Sequence, residues 1–159
     1  MALPRTLRVA ILLADVPMPE IVAKHGDYLA MFTHSLRTGA QQLSPSVTVE
    51  TTGFDVVNDP PQYPVNPSDY DAILITGSKA DCYRDLPWIE RLVHYVHDTA
   101  TEHPTLKWLG VCFGHQVIAR AFGQATGVSS EGWEIGNVDL KLTDVARQLF
   151  NTSRDTMVG

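Results

Sequence analysis

Long apolar runs are missing from this chain of 159 residues. Nowhere do roughly 18 consecutive apolar residues occur, the length a membrane span needs, so no membrane partner is expected. Basic runs are missing too. Twelve Lys and Arg against 18 Asp and Glu leave a formal net charge of -6, and the cations form no stripe, which argues against a nucleic-acid partner. Cysteine is scarce. Cys82 and Cys112 are too few for a disulfide framework and lack Cys-x-x-Cys spacing, so a reduced, cytoplasmic setting is expected. The N-terminal apolar run from Leu7 to Ala14 is short, lacks a cleavage site, and reads as a buried strand rather than a secretory signal. Repeats and low-complexity tracts are absent. Histidine thins out along the chain, and none of the 6 follows His115.

What is present is ordinary for a globular domain: 44% hydrophobic and 19% charged residues, in a length that supports one core but hardly two. Apolar runs alternate with helical patterns, which points to a parallel sheet with crossover helices. Strands are expected at Leu7 to Ala14, Val47 to Thr52, Tyr70 to Thr76 and Leu106 to Val111. Asp27 is placed to cap a helix carrying Leu29, Phe32, Leu36 and Leu43 on one face. Pro87 opens a second helix, running to about Thr101, and a third runs from the Gly110 to Gly114 turn through Phe122. Pro17 and Pro19 mark a loop after the first strand, and prolines 60, 61, 64 and 67 mark another. A further strand region at Trp133 to Leu142 and a short helix at Thr143 to Phe150 complete the pattern. The expected fold is α/β, a Rossmann or flavodoxin-like three-layer sandwich around a mostly parallel central sheet, in a single domain over residues 1–159.

The chemistry concentrates at Gly110-Val111-Cys112-Phe113-Gly114, at an expected strand-to-helix junction. This is the nucleophile-elbow pattern with Cys in place of Ser. The nucleophile there occupies a strained backbone conformation, and side chains two residues to either side would collide with the crossing strand and helix. The turn lifts the thiol to the carboxyl edge of the sheet, where open α/β sheets bind ligands. A helix N-terminus behind Cys112 favours negative charge on its sulfur. The Phe113 backbone N–H then faces a developing oxyanion. Thr76-Gly77-Ser78 follows the neighbouring buried strand, so its turn should open on the same edge and offer a second N–H donor.

Gly110-Val111-Cys112-Phe113-Gly114-His115-Gln116 resembles the nucleophile motif of class I glutamine amidotransferases. More narrowly, the chain resembles their stand-alone GMP-synthase-like branch, which includes γ-glutamyl peptidases. Gly26-Asp27-Tyr28, Ile75-Thr76-Gly77-Ser78 with Tyr83-Arg84-Asp85, and Gly132-Trp133-Glu134-Ile135-Gly136 fit the same branch. The resemblance implies that Cys112 is the nucleophile attacking a γ-glutamyl carbonyl. It implies that Gly77 or Ser78, with Phe113, supplies the oxyanion hole, and that Gln116 beside Gly114 helps hold the glutamine part of the substrate. No metal and no cofactor enter this chemistry. The implied partner is glutamine or a γ-glutamyl small molecule, with a homo-oligomer or an ammonia-accepting synthetase as further partners.

One departure stands against activity. A cysteine nucleophile needs a base and a group to orient it, which the family takes from a His-x-Glu type pair downstream of the elbow. Here only His115 follows Cys112. The chain is therefore expected to cover the N-terminal two thirds of the family domain, with its sheet incomplete at the C-terminus. His115 reads as a helix-start residue. His94 and His97 could share a helical face, but no Cys or carboxylate cluster completes a metal site around them. His25 lies two residues before Asp27, which is more simply a cap. Cys82 reads as a small residue near a loop. Two alternatives to hydrolysis stand beside it: a non-catalytic, truncated paralogue that binds a γ-glutamyl ligand or protein partner, and a member of the deglycase and chaperone relatives with a similar cysteine elbow.

Overall fold

Alternation along β1 (Arg5–Leu13) sets the layers. Successive strand side chains point to opposite faces. Ala10, Leu12 and Ala14 therefore enter one apolar cluster, while Val9 and Ile11 enter another. The computed structural model describes residues 5–130, 132, 136–137 and 139–158. The chain divides into two compact units, Met1–Gly127 and Val128–Gly159.

In the first unit β1 lies between β2 (Val47–Asp55) and β3 (Ala72–Ile75), and β3 pairs in turn with β4 (Lys107–Gly110), giving the order β2-β1-β3-β4. All three pairings are parallel, with Val9 opposite both Thr51 and Ala72, and Ile75 opposite Gly110. The mostly parallel α/β sheet expected from the alternating pattern is present. Helix α1 (Pro19–His25) and helix α2 (Tyr28–Leu43) connect β1 to β2. Asp27 caps α2, its Oδ1 accepting the Ala30 N–H at 2.8 Å. Leu29, Phe32, Leu36 and Ala40 of α2 pack on the Val9 and Ile11 face.

The opposite face receives α3 (Pro87–Glu102) and α4 (Phe113–Ala121). Ile89, Leu92 and Val96 from α3 join Phe113, Val117 and Ala121 from α4 over Ile73 and Ile75 of β3. Trp88, Tyr95 and Trp108 pack against this cluster, as core aromatics should. Helices on both faces of one sheet make the three-layer sandwich.

Several boundaries differ from expectation. Helix α1 occupies a stretch expected to be loop; it has 7 residues and places no side chain in either apolar cluster. Strand β2 runs past Thr52 to Asp55, because Gly53, which interrupts the β-branched pattern, is where Leu29 of α2 presses on the strand. A Cβ at Gly53 would lie 3.0 Å from Leu29 Cδ2. Strand β3 is shorter than the apolar run around it, ending at Ile75, although the Thr76 N–H still donates to the Leu12 carbonyl at 3.1 Å.

In the second unit β5 (Asp139–Lys141) pairs antiparallel with β6 (Thr156–Val158) around α5 (Asp144–Leu149). Thr143 caps α5 through the Ala146 N–H at 3.1 Å. Arg147 ties the unit together, donating to the Leu142 carbonyl at 3.1 Å and the Asp155 carboxylate at 3.2 Å. Trp133, Glu134 and Ile135 of the expected strand region lie outside the described residues. No described helix is long and apolar enough to cross a membrane.

Candidate functional site

Cys112 sits at the N-cap of α4 with φ 51° and ψ -108°, a left-handed conformation that side-chain-bearing residues adopt at a cost of about 1–3 kcal/mol. Two contacts hold it there. A Cβ at Gly114 would stand 2.3 Å from the Ile75 carbonyl oxygen, so the first turn of α4 lies directly on the end of β3. A Cβ at Gly110 would stand 2.5 Å from the His115 nitrogen and 2.6 Å from the Gly114 carbonyl oxygen. These neighbours are backbone and cannot move aside, so both positions demand glycine. The Val111 N–H continues the ladder to the Ile75 carbonyl at 3.1 Å, and the Gly114 N–H turns back to the Val111 carbonyl at 2.9 Å. Strand, turn and helix are thus closed around one residue, whose thiol is exposed.

Phe113 is the first residue of α4, so its N–H has no acceptor within the helix. Its side chain points the other way, 1% exposed, with its ring 5.4 Å from that of Trp88. Burial of the ring anchors the backbone that carries the N–H. Gln116 lies one helical turn beyond Cys112, its N–H donating to the Cys112 carbonyl at 3.2 Å, and its side chain is exposed. His115 is exposed beside it.

Gly77 faces this elbow. From its α-carbon a Cβ would reach to 3.8 Å from both Cys112 Cβ and the Val111 carbonyl oxygen, ordinary contact distance, so the β3 turn and the nucleophile position are immediate neighbours. Thr76 organises that turn in a way the residue pattern did not disclose. Its hydroxyl, fully buried, accepts the Ala14 N–H at 3.0 Å and donates to the Gly77 carbonyl at 3.0 Å. The peptide between Gly77 and Ser78 is held by its oxygen, and its N–H points the opposite way. Ser78 Oγ accepts the Ala80 N–H at 3.1 Å. Cys112, Gly77, Phe113 and Gly114 are therefore gathered on one edge of the sheet, with Ser78 following Gly77 and Gln116 one turn along α4.

The loop after Ser78 is anchored twice. Asp15, at the end of β1, accepts the Lys79 N–H at 2.8 Å and pairs with its ammonium at 3.0 Å. Burial pushes the Asp15 carboxyl up, but hydrogen bonds from Lys79 and Val16 with the Lys79 charge outweigh it, and its pKa falls below 3.8. A cavity of about 220 Å³ opens beside Asp15, lined also by Val16, Tyr28, Asp55 and Asn58. Further on, Arg120 of α4 donates to the Cys82 carbonyl at 2.7 Å and the Arg84 carbonyl at 3.2 Å. The only sequence signal for Arg120 was a cation within an otherwise apolar helical stretch, which a solvated position explains equally well.

The remaining histidines lie on α1, α2 and α3 or at its end. His94 and His97 are exposed on α3, and His97 Nδ1 meets Asp98 at 3.0 Å. His103 contacts Ser68 at 3.2 Å. The Asp27 carboxylate is engaged by its own helix, which leaves His25 no orienting partner there. No group of three metal-ligating side chains occurs among the described residues. Cys82 is buried 1% exposed, and burial pushes its thiol up from 9.0.

Comparison with known proteins bears on this geometry. The family profile described as glutamine amidotransferase class-I matches residues 25–158. A glutamine amidotransferase-like protein of Schizosaccharomyces pombe is 37% identical over 144 residues, covering 89% of this chain and 58% of the relative. Gamma-glutamyl peptidase 3 of Arabidopsis thaliana is 37% identical over 67 residues, covering 42% of this chain and 26% of the relative. The chain thus spans less than two thirds of the length of the curated relatives it matches. Among solved structures, a glutamine amidotransferase from Thermotoga maritima superimposes with a TM-score of 0.63 at 16% identity, over 96% of this chain and 58% of that one. That likeness concerns the fold. The profile match, most of the chain long, together with the fission-yeast relative, settles kinship: the chain belongs to the class I glutamine amidotransferase family.

Proposed function

We propose that the protein hydrolyses a γ-glutamyl amide, either glutamine or a γ-glutamyl peptide, through a thioester on Cys112. The observation that carries this reading is Cys112 held at φ 51° with Gly77 directly across from it. The Cys112 sulfur, as thiolate, attacks the γ-carbonyl carbon. The carbonyl oxygen becomes an oxyanion facing the backbone N–H groups of Phe113 and of Gly77 or Ser78. The C–N bond breaks, the nitrogen takes a proton and leaves as ammonia or an amine, and water then cleaves the thioester to a γ-carboxylate and free thiol. Gln116 and Gly114 border the glutamine part of the substrate. The single-domain organisation, a cytoplasmic setting and an ammonia-accepting synthetase or second copy as partner belong to the same reading. Incubation with a glutamine-analogue chloroketone should place one adduct on Cys112, read by peptide mass spectrometry. Folded protein that reacts elsewhere, or not at all, sinks the proposal.

A second reading rests on the described histidines: His97 meets Asp98 and His103 meets Ser68, away from Cys112. On that reading the chain binds a γ-glutamyl ligand or a protein partner without turning it over. Glutamine would then raise the unfolding midpoint, while ammonia release would be no faster than in Cys112→Ala. Multiple turnovers abolished by Cys112→Ala would exclude it.

A further inference from the structure

Arg120 lies in the last turn of α4 and is about one fifth exposed, its side-chain relative exposure being 21%. Its guanidinium serves four acceptors outside its own helix. Nη1 donates to the backbone carbonyls of Cys82 and Arg84, and Nη2 to the carboxylates of Asp85 at 3.0 Å and Glu90. Three of these belong to the loop running from Ser78 to the start of α3, and the fourth to α3 itself. The same α4 begins at Cys112, and the same loop begins at Gly77. One side chain therefore joins the two segments that meet at the nucleophile. On the sheet side they are joined by the pairing of Ile75 with Gly110.

We propose that Arg120 is a positioning residue that fixes the spacing between the Cys112 elbow and the Gly77-Ser78 turn by clamping the loop at Cys82, Arg84 and Asp85 to α4. The proposal rests on the reading of Cys112 as a γ-glutamyl nucleophile with oxyanion donors on both segments. Geometry explains why arginine is required. A planar fork with several donors reaches two carbonyls and two carboxylates at once, whereas lysine offers one point charge on a flexible stem. The loop's other anchor, Lys79 on Asp15, holds the Ser78 end alone. Releasing Arg120 leaves the stretch at Cys82, Arg84 and Asp85 held by the burial of Cys82 and by the start of α3, so the second donor can drift, and displacement of about 1 Å at a reacting centre costs up to about a hundredfold in rate.

Cys82 makes the clamp measurable. Its thiol forms no disulfide and is buried within the loop that Arg120 holds. Arg120→Lys, and separately the double variant Asp85→Asn with Glu90→Gln, are compared with the parent protein, all confirmed folded by circular dichroism. Two quantities are read: labelling of Cys82 by N-ethylmaleimide, and the ratio of Cys112 alkylation rates by a glutamine-analogue chloroketone and by iodoacetamide. Only the chloroketone develops an oxyanion, so a loss of stability alone leaves the ratio unchanged. Arg120→Lys is expected to unmask Cys82 and lower the ratio by about tenfold or more, with the double variant in between. An unchanged ratio overturns the positioning role, whether or not Cys82 is unmasked. A lowered ratio with Cys82 still protected overturns it too, because the loop has then not moved. If the parent itself shows no preference for the chloroketone, the γ-glutamyl reading and the positioning role fall together, and Cys82 labelling still decides whether Arg120 holds the loop.

Discussion

The Thr76 hydroxyl donates to the Gly77 carbonyl at 3.0 Å while accepting the Ala14 N–H at the same distance. A single buried oxygen thus joins the end of β1 to the peptide that faces Cys112. Thr76→Val keeps the shape and removes both bonds, leaving the Ala14 N–H and the Gly77 carbonyl unpaired. The expected cost is about 1–3 kcal/mol in urea unfolding, with slower chloroketone labelling of Cys112. Thr76→Ser retains the hydroxyl and should restore most of both. A loss in the Ser variant with none in the Val variant would show that the methyl group, which Val keeps, matters and the hydrogen bonds do not.

Two glycines should respond to alanine with opposite signs. At Gly114 a Cβ would meet Ile75 backbone atoms at 2.3 Å and 2.8 Å, so Gly114→Ala forces α4 off the end of β3 at about 3 kcal/mol or more. At Gly39, inside α2, a Cβ meets nothing within 4 Å. Gly39→Ala should stabilise by about 0.5–1 kcal/mol, the helix-propensity difference. Denaturant midpoints for the two variants check both signs.

Asp15 and Asp55 predict acid sensitivity. In each, burial pushes the carboxyl up and hydrogen bonds outweigh it: Lys79 and Val16 at Asp15, the N–H groups of Asn58 and Val57 with the Asn58 amide at Asp55. Folded-state pKa values below the ordinary 3.8 mean that the native state favours the ionised form. That stabilisation is complete above the unfolded-state pKa and is lost as pH falls through the folded-state value. Stability measured from about pH 5 to pH 2 should therefore decline, and Asp15→Asn combined with Asp55→Asn should flatten the decline. An identical slope in the double variant would count against both assignments.

Among the described residues, strand β4 is an edge of the four-stranded sheet. Leu109, halfway along it, is 44% exposed. Unpaired strand edges with apolar side chains favour association, so the protein should self-associate as concentration rises, by light scattering or sizing. Leu109→Lys should weaken this association several-fold, adding a second cation to the edge beside Lys107. A parent protein that stays monomeric at high concentration removes the premise.

The strands and the elbow were legible in the residue order because each obeys a local rule. Ile73, Leu74 and Ile75 form a continuous apolar run, as strands buried on both faces do, and Gly110 and Gly114 bracket Cys112 at the spacing that a sharp turn requires. Asp27 announced its helix by type and position. Helix α1 was invisible because it is short and sends no side chain into either apolar cluster. Thr76 and Arg120 were invisible for another reason. Their effects come from partners 62 and 38 residues away, Ala14 and Cys82, and no periodicity within one segment records such a pairing.

The seating of Gly114 on the Ile75 carbonyl has a consequence for how the protein is made. The bent backbone at Cys112 is not encoded within the turn; it exists only once β3 and β4 have paired and α4 has settled on them. Those contacts close a segment of more than 30 residues, a slow, non-local step in assembly. Until that step is complete, Cys112 is an unremarkable thiol on a flexible chain. A reagent that recognises the bent nucleophile is therefore also a clock for folding, registering each molecule only when its sheet has closed.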